Sequence, residues 1–507
     1  MHELRAALLI GLCAFSSGCH GRSSSSPTPP LQVQVQAPAP GSTAAVNANI
    51  SVEFAANPAP DPATMTANAL LVRDGSGPLA GHAAYDSSAL RLTWISEREF
   101  PRGALLTVAV SDSVRSVNGN ALATGSTWSF RVRAAVAAMP VTIKSGVTTG
   151  GSNVHVGLDL DGTSVIAFGD EAWVWTTNGL GPAESLPGVA RGLHVDGAGN
   201  AVVIMTTVAQ AAVAMGVSSR STTGVWSPRE NVFNSWGHYL SATLMGNERG
   251  DLMVQTLNGW ATPMVNQTVL HVRPATSAVG WLQFPVIYGA GGSAHPDVKS
   301  TLDGLGRVTS MVGPYVGGSG GFLIAERWDP LQGTSSMFTL AQVGANVYGG
   351  MIAGDRDGGL RAIWSQDGQV VMSRAPANAG FGPVVTGQPQ SIFGPTWHAA
   401  SSGAVVVREG AFAWRAEAGS DEWTVAEIGG YPLATAMSSR GEALMLTSNG
   451  ISGSLVRWRA GDGIDPPLEL GTLQPIAVAV DDVGRAVVIY GESQQSSSWN
   501  LVGVRIE

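Results

Sequence analysis

Three kinds of residue in this chain have the types and spacing for chemistry: repeated turn carboxylates, one serine set between glycines, and scattered histidines. Asp159-Leu160-Asp161-Gly162 and Asp355-Arg356-Asp357-Gly358 have the carboxylate density of a calcium loop. They lack the further oxygen ligands and the closing Glu of such a loop. A tight turn, in which Asp bonds its own backbone and Gly takes positive φ, accounts for them more simply. Gly317-Gly318-Ser319-Gly320-Gly321 satisfies the letter of Gly-x-Ser-x-Gly. That serine is a nucleophile only on a strand-to-helix turn with a downstream acid and histidine, and here the stretch reads as a glycine loop between strands. His155, His194, His238, His271, His295 and His398 include no pair at the helical spacing of a zinc site. Asp170-Glu171, Asp421-Glu422 and Asp481-Asp482 would point to opposite faces of a strand or lie solvated in turns, which makes poor acid–base pairs. No glycine-rich phosphate loop opens a helix. The expectation is therefore no metal, no cofactor and no catalytic residue.

The elements that carry these residues repeat. Eight times a short apolar run meets a turn and then a second run of small and β-branched residues. The turns are Asp159 to Gly162, Asp196 to Gly199, Asn247 to Gly250, Asp303 to Gly306, Asp355 to Gly358, a degenerate Ala400 to Gly403, Ser438 to Gly441 and Asp481 to Gly484. A period of roughly 40 to 55 residues with several strands per unit predicts a β-propeller over 134–507. The count is eight blades, or seven if two weak units merge. A third strand ends near Trp or Arg in several units, as in Trp173-Val174-Trp175 and Leu455-Val456-Arg457-Trp458-Arg459. Val225-Trp226, Trp281 and Trp423 read as parts of a fourth. Their fixed place in the repeat makes the tryptophans packing residues rather than a sugar-stacking set. The final unit stops after three strands, and Val141 to Thr149, an orphan strand, can supply the missing outer one.

Innermost strands of such a ring face a channel, and those strands carry His155, His194, Asp297, Lys299, Tyr348 and His398. These are the candidate ligand-binding residues. They are chemically mixed, and Ala434, Ala477 and Ala479 in the last two units add nothing. The longest intervals between turns, Gly199 to Gly250, Gly250 to Gly306 and Gly306 to Gly358, belong to consecutive units, so their loops should share one sector. Loops Gly289 to Asp297 and Gly313 to Gly321 are glycine-rich. Binding sites on such scaffolds sit in loops.

Composition bounds the partners. A net charge of −9 without a basic run argues against nucleic acid and anionic membrane surfaces. With 65 glycines, 28 prolines and 13% charged residues, the chain reads as turn-rich β structure, all-β throughout. At the N-terminus, Arg5, the apolar Ala6 to Phe15, and Ser16-Ser17-Gly18-Cys19 resemble a bacterial lipoprotein signal over 1–18. The resemblance implies lipidation at Cys19, although Ser16 stands where such signals usually carry an aliphatic residue. An ordinary secretory signal cut near the same point is the alternative. Cys13 and Cys19 are the only cysteines, so the mature chain has no internal disulfide. Residues 19–36, rich in Ser and Pro, read as an extended tether. His20 is not the Asp that retains enteric lipoproteins at the inner membrane, so the resemblance implies the outer membrane or cell surface.

Between tether and ring, 37–133 holds short alternating strands such as Ile50-Ser51-Val52-Glu53-Phe54 and Leu90-Arg91-Leu92-Thr93-Trp94. Pro40-Gly41, Asp61-Pro62-Ala63-Thr64, Pro101-Arg102-Gly103, Asn118-Gly119-Asn120-Ala121-Leu122 and Trp128-Ser129-Phe130 follow the order of landmarks in the bacterial Ig-like domain first associated with S-layer proteins. The unit resembles that family, which implies a β-sandwich acting as spacer or adhesive module. Together these readings predict an exported, lipid-anchored protein that binds a cell-surface glycan or envelope protein. A polysaccharide lyase or glycosidase, marked by acids and bases converging on the funnel, and a structural subunit of an envelope complex are the alternatives.

Overall fold

The computed structural model describes residues 29–506 except 124–125, 135, 148–153, 210–211, 223, 236–237, 260–266, 277–279, 286–297, 313–320, 344–346, 368, 390–395, 451, 462, 472–473 and 494–497. The protein is all-β. Among the described residues the one helical element is the 3₁₀ turn Pro62–Thr64, where Asp61 Oδ1 accepts from Ala63 N at 3.0 Å.

In the N-terminal module, strands alternate buried and half-buried positions, as Ile50–Phe54 does, because each sheet shows one face to the core and one to solvent. Two sheets enclose that core, which includes Leu31, Phe54, Leu92, Trp94, Phe100, Trp128 and Phe130. The sandwich starts earlier than the boundary at residue 37 read from the sequence. Its first strand is Val33–Ala37, paired with Ile50–Phe54, so part of the expected tether is structure.

Beyond it stand eight antiparallel sheets of four or five strands, seven of them built wholly from consecutive segments. Their first strands are Val154–Leu158, Val189–Val195, His238–Gly246, Val298–Leu302, Val347–Gly354, Thr396–Ala399, Tyr431–Met437 and Gln474–Val480. Each packs against the first strand of the next sheet, and Gln474–Val480 also packs against Val154–Leu158. The eighth sheet takes its outer strand from far upstream: Val141–Val147 pairs antiparallel with Trp499–Ile506, the partner expected for the orphan segment. Trp226 and Trp281, read as fourth-strand residues, instead precede the fourth strands Glu230–Ser235 and Leu282–Pro285.

Second strands are buried on both faces, Ser164–Phe168 along its whole length, since a neighbouring sheet covers each side. The apolar side chains accordingly gather in eight clusters, one for each pair of successive sheets, including the eighth with the first. In that last seam Ile143, Val147, Phe168, Trp173, Trp175, Val487, Ile489 and Leu501 meet, and Gly503 leaves room for the Trp175 ring. Lys144 pairs there with Glu171. The third-strand arginines are fasteners. Arg505 Nη2 donates to Gly162 O at 2.9 Å, and Arg457 Nη2 to Gly484 O at 2.7 Å, each crossing to the turn of the following sheet.

Candidate functional site

The eight turns share one geometry. Their closing glycines, Gly162, Gly199, Gly250, Gly306, Gly358, Gly403, Gly441 and Gly484, have φ between 79° and 93°, which an L side chain rarely adopts. The opening residue spends an oxygen on its own turn. Asp159 Oδ1 accepts from Asp161 N at 2.9 Å and Thr163 N at 2.7 Å, and Asp355 Oδ1 from Asp357 N at 3.0 Å and Gly359 N at 2.6 Å. The turn reading of these carboxylates holds. Asp481 departs from the solvated position expected of it: it is 3% exposed, and burial pushes its carboxyl up to about 6 against the opposing Arg485. Ser319 lies outside the described residues.

Two connected cavities run along the first strands. One, of about 570 Å³, is walled by His194, Met245, Lys299, Thr301, Met351, Thr396 and His398 among others. The other, of about 930 Å³, opens among the turns, and the two share His194, Gly246, Ala399, Ala400 and Ser401. Three sequence candidates, His194, Lys299 and His398, thus meet in one space although they belong to the second, fourth and sixth sheets. His155 lines neither cavity. Asp297 and the Tyr348 side chain lie outside the described residues.

The imidazoles face the seams as much as the cavity. Nε2 of His155, His194 and His398 is enclosed without a hydrogen-bond partner, and the His194 ring occupies the space where a Cβ on Gly246 would stand. Burial pushes His398 down to about 3, with Arg408 adding to it. His155 is lowered by burial and by Arg191, and His194 by burial against the opposing pull of Asp196. Neutral rings wedged between sheets are packing elements at neutral pH.

Apart from His194, sequence reasoning missed the residues of the larger cavity. Leu160, Gly197, Glu248, Arg356, Ser401, Ser439 and Asp482 all line it, and every one is the second residue of its Asp-x-x-Gly turn. Reading that position down the repeats would have found them. Backbone bonds join neighbouring turns: Gly304 N donates to Asp355 O at 2.9 Å, Arg356 N to Ser401 O at 2.7 Å, and Ser402 N to Ser439 O at 3.0 Å.

The Ig-like module sits on this same end of the sheets. Arg440 Nη2 donates to Asp74 Oδ1 at 2.8 Å and to Ser76 Oγ at 2.7 Å, and Arg102 N to Val483 O at 2.9 Å. Arg98 stands 3.9 Å from Asp482, and Gly75 packs on the Ala460 backbone so closely that a Cβ would collide with it. Pro78, Leu79, Ala80 and Arg98 form part of the larger cavity's wall.

Residues 27–132 match the family of bacterial Ig-like domains. No curated protein matches the chain. Solved structures similar to it include a protein of unknown function from Dyadobacter fermentans, at 10% identity and TM-score 0.35, covering 73% of this chain and 99% of that one. A Hadza microbial sialidase, at 10% identity and TM-score 0.35, covers 82% and 76% respectively. A quinonprotein alcohol dehydrogenase-like protein from Bacteroides thetaiotaomicron, at 8% identity and TM-score 0.30, covers 86% and 95%. Likeness at this level assigns no activity.

Proposed function

We propose that this protein is an exported, lipid-anchored binding module whose eight sheets are the blades of a β-propeller, held outward by the Ig-like spacer. It binds a cell-surface glycan or an envelope protein without turning it over. The observation that carries the reading is the position of the Ig-like module. It occupies the Asp-x-x-Gly end of the sheets, so the connections at the other end point away from the N-terminal anchor. In an antiparallel meander the links between second and third strands, and between one sheet and the next, all fall at that far end. There the strands of the third and fourth sheets end or begin at Gly259 and Gln267, at Pro285 and Val298, and at Val312 and Gly321, in the sector of long intervals. Loops on a packed scaffold are where binding residues can vary freely.

The anchor is Cys19, and Cys19→Ser should release the protein from the membrane fraction or block its processing. The binding role is tested by incubating the protein with a glycan panel and with cell-wall fractions, assaying both retention and product release. Retention that disappears when the 286–297 and 313–320 loops are shortened, with no product formed, is the expected result. Release of oligosaccharide would overturn it in favour of a lyase or glycosidase.

A further inference from the structure

The cavity of about 930 Å³ between the turns and the Ig-like module lies within the roughly 300–1,000 Å³ range of small-molecule sites. Most of its charged groups are already engaged. Asp481 accepts from Arg485 Nε at 2.5 Å and from the Val483 and Arg485 backbones, and Asp482 Oδ2 accepts from Ser439 Oγ at 2.5 Å. Asp196 is spent on the Ala198, Asn200 and Asn200 side-chain donors, and Arg440 on Asp74 and Ser76.

Three groups keep hydrogen-bonding capacity, one of them Arg98, which meets only Asp482 at 3.9 Å among the described residues. Among the described residues the Glu248 carboxylate receives only the Ser401 hydroxyl, at 3.4 Å, and the exposed Arg356 guanidinium meets no hydrogen-bond or ion-pair partner. Glu248 and Arg356 come from the third and fifth sheets yet both adjoin Ser401, which also accepts Arg356 N at 2.7 Å. No ion pair joins them. One acceptor and one planar donor fork on the wall of the same cavity match the vicinal hydroxyls of a sugar, each of which both donates and accepts. Leu79, Leu160 and Met437 supply apolar wall for the C–H faces of the rings. An anionic ligand would meet the carboxylates of Asp196, Glu248, Asp481 and Asp482 against three arginines, of which Arg440 is committed to Asp74 and Ser76 and Arg98 stands beside Asp482, so the balance of charge favours a neutral one.

We propose that this cavity is a ligand site built jointly by the Ig-like module and the turn end of the sheets, and that it takes a short uncharged oligosaccharide. It is independent of the far-end loops. Ligand in it would bridge the two parts of the chain and fix their relative orientation.

Calorimetric titration of the full chain with chitotetraose, cellotetraose and maltotetraose, and with tetragalacturonate as the charged counterpart, tests the proposal. At least one neutral tetrasaccharide should bind saturably, and Glu248→Gln and Arg356→Ala should each weaken it tenfold or more with the melting temperature unchanged. Leu79→Arg, which fills the cavity from the Ig-like side, should abolish binding without touching any turn. Shortening 313–320 should leave it intact, which separates this site from the far-end one. The proposal falls if no neutral tetrasaccharide binds, if binding survives all three substitutions, or if tetragalacturonate binds best and depends on Arg356 alone.

Discussion

In the Ig-like module two sheets close on one apolar core, and among its described residues Ser116 is the only polar side chain fully buried. Past it the apolar groups are divided among eight seams, and the interior carries buried charge: Arg327, Arg361, Arg415, Arg457, Arg505, Asp159, Asp303 and Asp481. The difference follows from shape. A sandwich meets its neighbour across one wide face, whereas a sheet standing between two others must be apolar on both faces and still satisfy the turn carbonyls at its end. The arginines reach those carbonyls across the seam, so each sheet depends on the next, and no single one has a complete core. The module is self-contained; the sheets are not.

The comparison breaks most visibly at the last seam. Removing 141–147 deletes Ile143 and Val147 from the cluster between eighth and first sheets and strips the edge of Trp499–Ile506. Their lost burial alone is worth about 3–6 kcal/mol. Limited proteolysis read by mass spectrometry should then cut within 474–506 while 31–133 persists. Equal resistance in the deleted and intact chains would mean the seam does not hold the sheets together.

Charge provides the next contrast. Arg505, 5% exposed, donates to Gly162 O and lies over the Trp175 ring at 5.9 Å, so Arg505→Met leaves a buried carbonyl without a donor. A cost of about 2–4 kcal/mol is expected. Arg91 pairs with Glu53 on the surface of the module with its side chain 48% exposed, and Arg91→Met should cost about 0.5 kcal/mol or less. Chemical denaturation of both variants measures the gap. Similar losses would show that the buried arginines are ornaments of the fold rather than its fasteners.

Acid should unfold the sheets before the module. His398 and His271 are held down to about 3 and about 4 by burial, against 6.5 for the free ring. Their folded values lie below the unfolded one, so nothing is lost above pH 6.5, and stability drains as the pH falls below it and the unfolded chain alone takes up protons. At pH 5 each costs about 2 kcal/mol. Asp481 acts the other way: raised to about 6 from 3.8, it favours the folded state as the pH drops through 6, returning about 1 kcal/mol. The denaturation midpoint should therefore fall from pH 7 to pH 5, and His398→Gln should fall by about 2 kcal/mol less. A variant with the parental slope would refute the wedged, neutral ring.

Much of this could be read in the residues before any coordinates. The repeated turn was legible in all eight units because local geometry demands the closing Gly in every one and favours the Asp that opens five of them, and the strand of Val141 was legible because the last unit is visibly one strand short. His155, His194 and His398 were legible as first-strand residues, and His194, Lys299 and His398 do line one cavity. Their orientation was not, since whether Nε2 meets solvent or the neighbouring Gly246 depends on the angle between sheets. Glu248 and Arg356 escaped for the same reason: the middle of a turn looks like solvated surface until seven of the turns converge on one cavity. Nor could alternation of apolar residues say which end of the sheets the Ig-like module would cover.

That joint offers the smallest effect and a finer test. The same change, glycine to alanine, meets two different surroundings. At Gly503 the new methyl would stand 2.4 Å from the Trp175 ring, inside a seam that cannot yield without opening. At Gly75 it would stand 1.9 Å from Ala460 O, a harder clash by distance, yet between two bodies held mainly by Arg440, Arg102 and Arg459 contacts. Because φ at Gly75 is not in the left-handed region, the alanine is objectionable only through space, and the module can relieve it by tilting. Gly503→Ala should lower the melting temperature of the sheets, whereas Gly75→Ala should leave both parts folded within about 1 kcal/mol and change their separation. Spin labels on residues 82 and 305 would report the tilt. If Gly75→Ala instead destabilises the sheets as much as Gly503→Ala does, the module is part of their core, and the division drawn between the two regions fails.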